Sequence, residues 1–338
     1  MMSGTITGKQ RMEAALNGEK LDRVCVFLLL GAQYAEKAGF TLEQYLTQPE
    51  AALETTKLTV QELDSDVLFV PLNPFMPDTQ EALRKLMGKA PSIKRDDIKE
   101  VLPRWGVREP REDGHFGIHL DMCDKTVAMF PDYFITTMIG GPWSFALELR
   151  GANEAMEDIY DDPEFLHDLM KWTTDTVIMR SLAVLDIGIC PFIGDPSSGM
   201  SMISPKIYRE HVLPYHKKIV DAVHDKGGKV LFHICGFTDP IFGDLVDLGV
   251  DGFSIDAPAS LEKLFEAGRG KTTIIGNVDP ILFAEGTKEQ LEEQAQRCLD
   301  IAAGDAKYVI GPGCQIPLQA DLDNIKAFTD YCHKHGAF

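Results

Sequence analysis

Residues 229–256 read KVLFHICGFTDPIFGDLVDLGVDGFSID, and their pattern decides the fold. The apolar run at 229–235 predicts a strand, and the apolar spacing within 241–248 predicts a helix that ends at Gly249. The run GFSID at 252–256 predicts a second strand. A strand, a helix and a strand in this order indicate two parallel strands joined by a crossover helix. Both strands are continuous apolar runs, which is typical of a sheet covered on both faces.

The same alternation continues towards the C-terminus. Helices are predicted at 261–267 and from Thr287 onward, and strands at 272–277 and 308–311. The helix after Thr287 begins with a capping-box pattern, in which Gln290 is the third helical residue. A last helix is predicted from an apolar face that consists of Ile325, Phe328 and Cys332.

Upstream of residue 229 the same reasoning predicts one helix and four more strands. The helix begins at Ser204-Pro205, is kinked at Pro214 and ends at Gly227-Gly228. The strands are predicted at Val24–Leu30, Val67–Leu72, Ile135–Ile139 and Ala183–Ile189.

Eight strands that alternate with helices favour a closed (β/α)8 TIM barrel. The alternative is an open doubly wound sheet, but the chain lacks the G-x-G-x-x-G motif that would support one. The stretch 103–132 is rich in charge, Pro and Gly and interrupts the alternation, which predicts an insertion or hairpin in the N-terminal half. Because no repeat, linker or low-complexity segment divides the chain, residues 1–338 are expected to form a single domain.

Composition and charge narrow the classes of partner. Apolar residues make up 44% of the 338 residues, which is enough to bury a large core. Lys and Arg number 33 against 52 Asp and Glu, and the resulting charge of −19 disfavours nucleic acid and membrane surfaces as partners. Residues 1–20 lack the apolar core of a signal peptide, and the run at 24–32 is too short to cross a bilayer. The chain is therefore expected in the cytoplasm, with its seven cysteines as thiols or metal ligands.

Two residues at the end of the strand 229–235 are candidates for chemistry. Residues two apart in a strand point to the same face, so His233 and Cys235 are expected to aim together at the barrel mouth. Cys314 follows the last predicted strand and is expected to reach them from there. One imidazole and two thiolates form a soft donor set that prefers zinc, and three protein ligands leave the open position of a catalytic site. The alternative is that one or more of the three is a core residue, as unpaired cysteines often are.

Other polar residues follow or end predicted strands. Because catalytic groups of TIM barrels lie at the C-terminal ends of the strands, Asp195, Asp256 and Asn277 are candidate pocket residues, together with Gln315 in the loop after the last strand. Asp256 is expected either to orient a metal ligand or to cap a loop. Asp279 is interpreted as a helix-capping residue.

Seven motifs occur in a fixed order along nearly the whole chain. They are AALNGEKLDRV at 14–24, GGPWS at 140–144, GDP at 194–196, HICG at 233–236, GVDGFSID at 249–256, IGNVDP at 275–280 and GPGC at 311–314. In this order they resemble the uroporphyrinogen decarboxylase superfamily, and most closely its zinc-dependent corrinoid methyltransferases of the methylcobalamin:coenzyme M methyltransferase type. The resemblance implies a TIM barrel in which a His-x-Cys pair and a distant Cys bind Zn²⁺. The matching positions are His233, Cys235 and Cys314.

One segment separates the two activities of this superfamily. Its decarboxylases carry an arginine-rich segment near the N-terminus that binds the carboxylates of the substrate. The corresponding residues 27–38 read FLLLGAQYAEKA and contain no arginine, which counts against tetrapyrrole decarboxylation. The resemblance therefore implies transfer of a methyl group between a corrinoid and a small thiol-like molecule. Because the chain shows no cobalamin-binding segment, the corrinoid (methylcobalamin) is expected on a separate carrier protein.

The chemistry gives a reason for such a site. A free thiol has a pKa of roughly 8.5, and only its thiolate attacks a methyl group well. Coordination to zinc deprotonates the thiol and so supplies the nucleophile at neutral pH.

Three other functions stay open from the sequence. The first is the partner reaction, demethylation of a methanol, methylamine or aryl methyl ether substrate onto a corrinoid. The second is a decarboxylase-like activity on a tetrapyrrole, and the third is a tetrapyrrole-binding module without catalysis. The decarboxylases need no metal, so metal content discriminates them, and a complete three-ligand set disfavours the silent module.

Overall fold

A computed structural model of the chain describes residues 6–71, 93–100, 109–112 and 114–337. Eight parallel strands form one sheet that curves into a nearly closed barrel. The strands are β1 (Cys25–Val26), β2 (Val67–Phe69), β3 (Phe134–Gly140), β4 (Cys190–Gly194), β5 (Leu231–Ile234), β6 (Gly252–Ile255), β7 (Thr273–Ile275) and β8 (Tyr308–Ile310). Their order in the sheet, β1-β8-β7-β6-β5-β4-β3-β2, is that of a (β/α)8 TIM barrel.

The seam between β1 and β2 is crossed by the residue that precedes β2. Asp66 donates its backbone N–H to the carbonyl of Val26 (3.0 Å), and its carboxylate accepts the N–H of Val26 (2.8 Å). The same carboxylate, fully buried, receives the guanidinium groups of Arg11 and Arg23. The buried charges and hydrogen-bonding groups are thereby paired where the two end strands of the sheet meet.

The inside of the barrel is filled with apolar side chains. The rings of Phe27, Phe69 and Phe192 lie with centroids 5.3–5.8 Å apart and occupy its centre. Below them, Met12 and Leu16 of the helix Gly8–Asn17 join the same cluster and cover the N-terminal end of the barrel. The packed interior leaves the C-terminal end as the open one.

Helices connect the strands and surround the barrel. In chain order they are Gly8–Asn17, Leu42–Thr47, Pro49–Glu62, Arg95–Glu100, Gly114–Met129, Pro142–Arg150, Ala152–Asp161, Pro163–Asp186, Pro205–Ile207, Leu213–Asp225, Phe242–Leu248, Leu261–Gly268, Leu282–Glu285, Lys288–Ala302 and Leu322–His335. A π-helical turn spans Tyr208–Val212, and short 3₁₀ helices span Pro110–Glu112, Pro196–Ser198 and Asp239–Ile241. Within the described part of the chain, none of these helices is long and apolar enough to span a membrane.

The helix signals in the C-terminal half are confirmed. Ser204 caps the helix that starts at Pro205, and Thr287 and Gln290 form the predicted capping box. The chain before Pro214 adopts the π turn rather than a simple kink, because Pro214 has no N–H to continue the α-helical ladder. The predicted face of the last helix, formed by Ile325, Phe328 and Cys332, is fully buried.

One prediction of local structure is wrong, and the bounds of another are too wide. The segment Ala183–Ile189 is not a strand: residues up to Asp186 end the long helix Pro163–Asp186, and the strand of this unit is Cys190–Gly194. A short apolar run is ambiguous between a buried helix and a buried strand, and here the length of the preceding helix decides. The insertion or hairpin predicted at 103–132 has bounds that are too wide, because Gly114–Met129 is a helix that precedes β3. Its residues 103–108 and 113 lie outside the described part of the chain, and the single domain over 1–338 stays a prediction.

Candidate metal centre

His233 lies near the end of β5 with its ring pointing to the barrel mouth, and Cys235 follows directly after the strand. The distance between His233 Nε2 and Cys235 Sγ is 3.2 Å. This closeness follows from the strand itself, since residues two apart share a face. The ring of His233 also contacts the ring of Phe192 edge-on, with centroids 6.3 Å apart, so the aromatic cluster forms the floor of the site.

Cys314 arrives from the loop after β8. Gly313 directly before it packs so closely on the loop after β6 that a Cβ there would lie 2.5 Å from the backbone nitrogen of Ala257. Only glycine allows this approach, which brings the Cys314 sulfur to 3.8 Å from that of Cys235. The ligand atoms of His233, Cys235 and Cys314 all lie within 4.8 Å of one another, close enough to hold one metal ion.

The contact between the two sulfurs moves the pKa values of the two thiols in opposite directions. The hydrogen bond from Cys235 lowers the pKa of Cys314 to about 5, and the contact with His233 acts in the same direction. The same bond, together with burial, raises the pKa of Cys235. The group therefore already favours one thiolate, which is the protonation state that a metal ligand requires.

Ser254 orients the ring of His233 from the neighbouring strand β6. The parallel register pairs His233 with Ser254, and Nδ1 lies 3.2 Å from both the carbonyl oxygen and the hydroxyl oxygen of Ser254. Donation from Nδ1 to the carbonyl leaves the lone pair on Nε2, the nitrogen that faces the sulfurs.

The three residues lie at the bottom of a cleft of about 580 Å³ at the barrel mouth. Leu29 and Leu30 after β1 and the helix Leu42–Thr47 form one wall, and the loop after β8 forms another. Gln315 lines this cleft and is exposed, and a Cβ at Gly31 would lie 3.2 Å from its amide nitrogen. The structure thus places Gln315 at the cleft, as expected from its position after Cys314.

Asp195 lies next to β5 but outside the cleft. It is fully buried, and its carboxylate accepts the N–H groups of Trp143 (3.1 Å) and Ser144 (2.8 Å) and the hydroxyl of Ser144 (2.5 Å). Nε2 of His216 lies 2.8 Å from Oδ2 of the same carboxylate, the oxygen that also accepts the N–H of Trp143. Asp195 therefore holds the N-terminus of the helix Pro142–Arg150 to the end of β4.

Asp256 and Asn277 bind backbone rather than facing the cleft. The carboxylate of Asp256 accepts the N–H of Gly236 (2.7 Å), directly after Cys235, and so fixes the turn that carries this sulfur. The amide of Asn277 donates to the carbonyls of Asp256 (3.2 Å) and Ala259 (2.8 Å). Asp256 therefore supports the backbone next to Cys235 directly. Asn277 supports the loop after β6 that carries Asp256, and so acts on the site indirectly.

Ser254, His216 and the leucines of the cleft were missed in the sequence. The pairing of His233 with Ser254 could have been found by aligning the two strands in parallel register, because both lie at the end of an apolar run. No local pattern marks His216, which reaches Asp195 from the helix Leu213–Asp225. The helix Leu42–Thr47 lies in the connection after β1, and its role depends on how that connection folds over the mouth.

Comparison with known proteins matches most of the chain to one family. The pattern of the family described as uroporphyrinogen decarboxylase (URO-D) matches residues 7–335. A methylcobamide:CoM methyltransferase MtbA of Methanosarcina acetivorans is 27% identical over 97% of this chain and 98% of its own length. A uroporphyrinogen decarboxylase of Pseudoalteromonas atlantica is also 27% identical, but over 59% of this chain and 58% of its own length.

A solved structure agrees on the fold. A methyltransferase from Methanosarcina mazei superposes with a TM-score of 0.84 over 97% of this chain and 99% of its own, at 21% sequence identity. The match along residues 7–335, with a barrel that agrees in fold, leads to one conclusion: the chain belongs to the uroporphyrinogen decarboxylase family.

Proposed function

We propose that this chain is a zinc-dependent methyltransferase that moves a methyl group between a corrinoid protein and a small thiol. The observation that carries the proposal is the group of His233, Cys235 and Cys314, whose ligand atoms lie within 4.8 Å of one another at the bottom of an open cleft. A relative that covers 97% of the chain is named as a methyltransferase, which supports the same activity.

The donor set fits zinc. One imidazole nitrogen and two sulfurs are the soft ligands that zinc prefers over magnesium or calcium, and a three-residue set leaves room for a substrate atom as the fourth ligand. His233 is held by Ser254 with Nε2 directed at the sulfurs, and Asp256 holds the backbone after Cys235. Such supporting hydrogen bonds are typical of metal ligands, because they fix the ring and the lone pair that coordinates.

Zinc at this site supplies a Lewis acid that lowers the pKa of a thiol in the fourth position, so that the thiol is a thiolate at neutral pH. The chain's own residues bind the thiol and exclude water beneath it. The cleft holds the carbon body of the thiol, and its aromatic floor of Phe27, Phe69 and Phe192 excludes water below the sulfur.

The transfer balances without a further reactant. The thiolate sulfur attacks the methyl carbon, a carbon–sulfur bond forms and the cobalt–carbon bond of the methylated corrinoid breaks. Its electron pair stays with cobalt, which leaves as Co(I), and the thiol proton goes to solvent. The corrinoid arrives on a carrier protein, and the described part of this chain contains no pocket that we assign to it.

The test combines metal analysis with a methyl-transfer assay. We expect about one zinc per chain and formation of a methyl thioether and Co(I) from methylcobalamin and a small thiol, followed spectroscopically without oxygen. Cys235→Ala and Cys314→Ala should bind zinc far more weakly and lose most of the activity, because two ligands do not hold the ion. Cys332→Ala, at a buried thiol of the last helix, is the matched control and should keep both.

Two results would contradict the proposal. Activity that survives complete removal of metal excludes a zinc-dependent reaction. Zinc-loaded protein that is inert with every thiol, yet transfers a methyl group from methanol, a methylamine or an aryl methyl ether onto Co(I), assigns the partner reaction instead.

A further inference from the structure

The wall of the cleft above the ligand group is formed mostly by apolar side chains from three segments. These are Leu29 and Leu30 after β1, Leu42 and Leu46 on the helix Leu42–Thr47, and Ile316 and Leu318 after β8. Leu42, Leu46 and Leu318 are 43%, 58% and 42% exposed, unusually open for leucines. Apolar surface that lines a cleft and stays exposed to solvent is typical of a ligand site, because a ligand that covers it releases the water there.

The polar side chains of this cleft are largely engaged within the protein. Both ends of the Gln33 amide are bound, its oxygen by the N–H of Gly31 (2.6 Å) and its nitrogen by the carbonyl of Ile316 (2.8 Å). Burial raises the pKa of Tyr45, so its hydroxyl stays neutral. Gln315 offers an amide but no charge.

No Lys, Arg, Asp or Glu side chain is among the described residues that line the cleft. The carboxylates nearest to its floor, Asp195 and Asp256, are turned onto backbone N–H groups, and the chain as a whole carries a charge of −19. At the described residues of the cleft an anionic ligand would lose hydration without gaining an ion pair, and the net negative charge of the chain opposes its binding. An uncharged apolar ligand has no charge to dehydrate, and the negative charge of the protein does not oppose its binding.

We propose that the cleft takes an uncharged thiol with an apolar carbon body, and releases the corresponding methyl thioether. This inference rests on the function proposed above and specifies its substrate class. It differs from what the names of the relatives suggest, because coenzyme M is 2-mercaptoethanesulfonate, an anion. The sulfur lies at the ligand group formed by His233, Cys235 and Cys314, and the carbon body lies along the leucines.

Binding can be measured without methyl transfer. Co(II) in place of zinc gives visible absorption bands that shift when a thiol coordinates, so a titration yields a dissociation constant for each thiol. We expect 1-propanethiol to bind at least about tenfold more tightly than 2-mercaptoethanesulfonate, with 2-mercaptoethanol between them. Each methylene added to the alkanethiol should tighten binding by about fourfold until the cleft is filled, the ratio expected for burying one CH₂.

A substitution that adds a positive charge to the cleft tests the same inference in the opposite direction. Leu318→Arg places a positive charge at the rim, at a side chain exposed enough to be replaced without disturbing the core. We expect this variant to shift the ratio of the two dissociation constants towards 2-mercaptoethanesulfonate by at least about tenfold. Leu318→Gln, polar but neutral, is the matched control and should not produce this shift.

The outcomes separate this inference from the function on which it rests. Thiol-dependent band shifts with 2-mercaptoethanesulfonate bound as tightly as 1-propanethiol, or more tightly, would overturn the substrate class and leave the methyltransferase intact. Protein that binds neither Co(II) nor zinc would overturn both. Preferential binding of 1-propanethiol, reversed by Leu318→Arg and not by Leu318→Gln, establishes the substrate class.

Discussion

The aspartates at the ends of the strands show how differently single residues at one barrel rim are used. Asp256 fixes the turn after Cys235, and Asp195 is buried against a helix N-terminus. Asp279 accepts the N–H of Ile281 (2.9 Å) in the turn before the helix Leu282–Glu285 and does not cap that helix, so its predicted role as a capping residue is wrong. The sequence predicts that all three lie at the rim, because each follows an apolar strand. It does not predict which way a carboxylate turns, since that depends on N–H groups from other segments.

Asp195 leads to a prediction at this scale. In Asp195→Asn one oxygen can still accept from Ser144, but the new NH₂ group faces the N–H of Trp143 or the ring of His216. A buried donor is then left without an acceptor, which costs about 1–3 kcal/mol. We expect the free energy of unfolding in urea to fall by about this amount.

Asp279→Asn is the control for this change, because the amide oxygen of asparagine can accept the N–H of Ile281 as the aspartate oxygen does. Its free energy of unfolding should stay within about 0.5 kcal/mol of the natural protein. Equal losses in the two variants would mean that the buried carboxylate of Asp195 is not what holds the helix Pro142–Arg150.

Elements were predictable where a local signal was strong. Capping residues and glycine ends located the helices from Ser204 onward, and period two placed His233 and Cys235 on one face. The prediction of a strand at Ala183–Ile189 was wrong because a run of apolar residues has no periodicity that distinguishes a buried strand from a buried helix. The apolar wall of the cleft was not predicted at all, since it depends on how the connection after β1 packs over the mouth.

The helix Gly8–Asn17 is held in place by ion pairs as well as by apolar packing. Its buried Arg11 binds Asp66 and also Asp22, just before β1. The hydrogen bond from Arg11 lowers the pKa of Asp22 from 3.8 to about 2. Because this carboxylate holds its charge more readily in the folded state, it stabilises the fold above its unfolded pKa, and the contribution is lost as the pH falls towards about 2.

Asp22→Asn should remove this contribution. We expect the variant to unfold at lower urea concentration than the natural protein at about pH 7, and the difference between the two to shrink at about pH 3. Tryptophan fluorescence during urea unfolding at the two pH values measures it. A difference that is unchanged at the lower pH would contradict the role given to the Arg11–Asp22 pair.

The molecule as a whole obtains its stability from the closed barrel and the shell of helices. Its two clusters of buried apolar residues include the barrel interior and nearly every helix, and the ligand group of His233, Cys235 and Cys314 lies at their edge. This is the opposite of a small zinc domain, in which the metal replaces the missing core.

Metal removal should therefore leave the fold in place. After treatment with a chelator we expect an unchanged far-ultraviolet circular dichroism spectrum, together with a lower melting temperature. Zinc at about a thousandfold above its dissociation constant adds about 4 kcal/mol to the free energy of unfolding, and this is the part that is lost. A metal-free protein with the spectrum of an unfolded chain would make the site structural rather than catalytic.

The three packed rings of Phe27, Phe69 and Phe192 have a consequence for the order of binding in a turnover. These rings fill the barrel below the site. A thiol therefore reaches the sulfurs of Cys235 and Cys314 through the mouth of the cleft, which is also the side that the methylated corrinoid must face. A carrier protein that is bound at the mouth of the cleft blocks this entrance. Under the proposed function the two reactants therefore arrive in a compulsory order, the thiol first and the carrier second, and the methyl thioether departs only after the carrier has left.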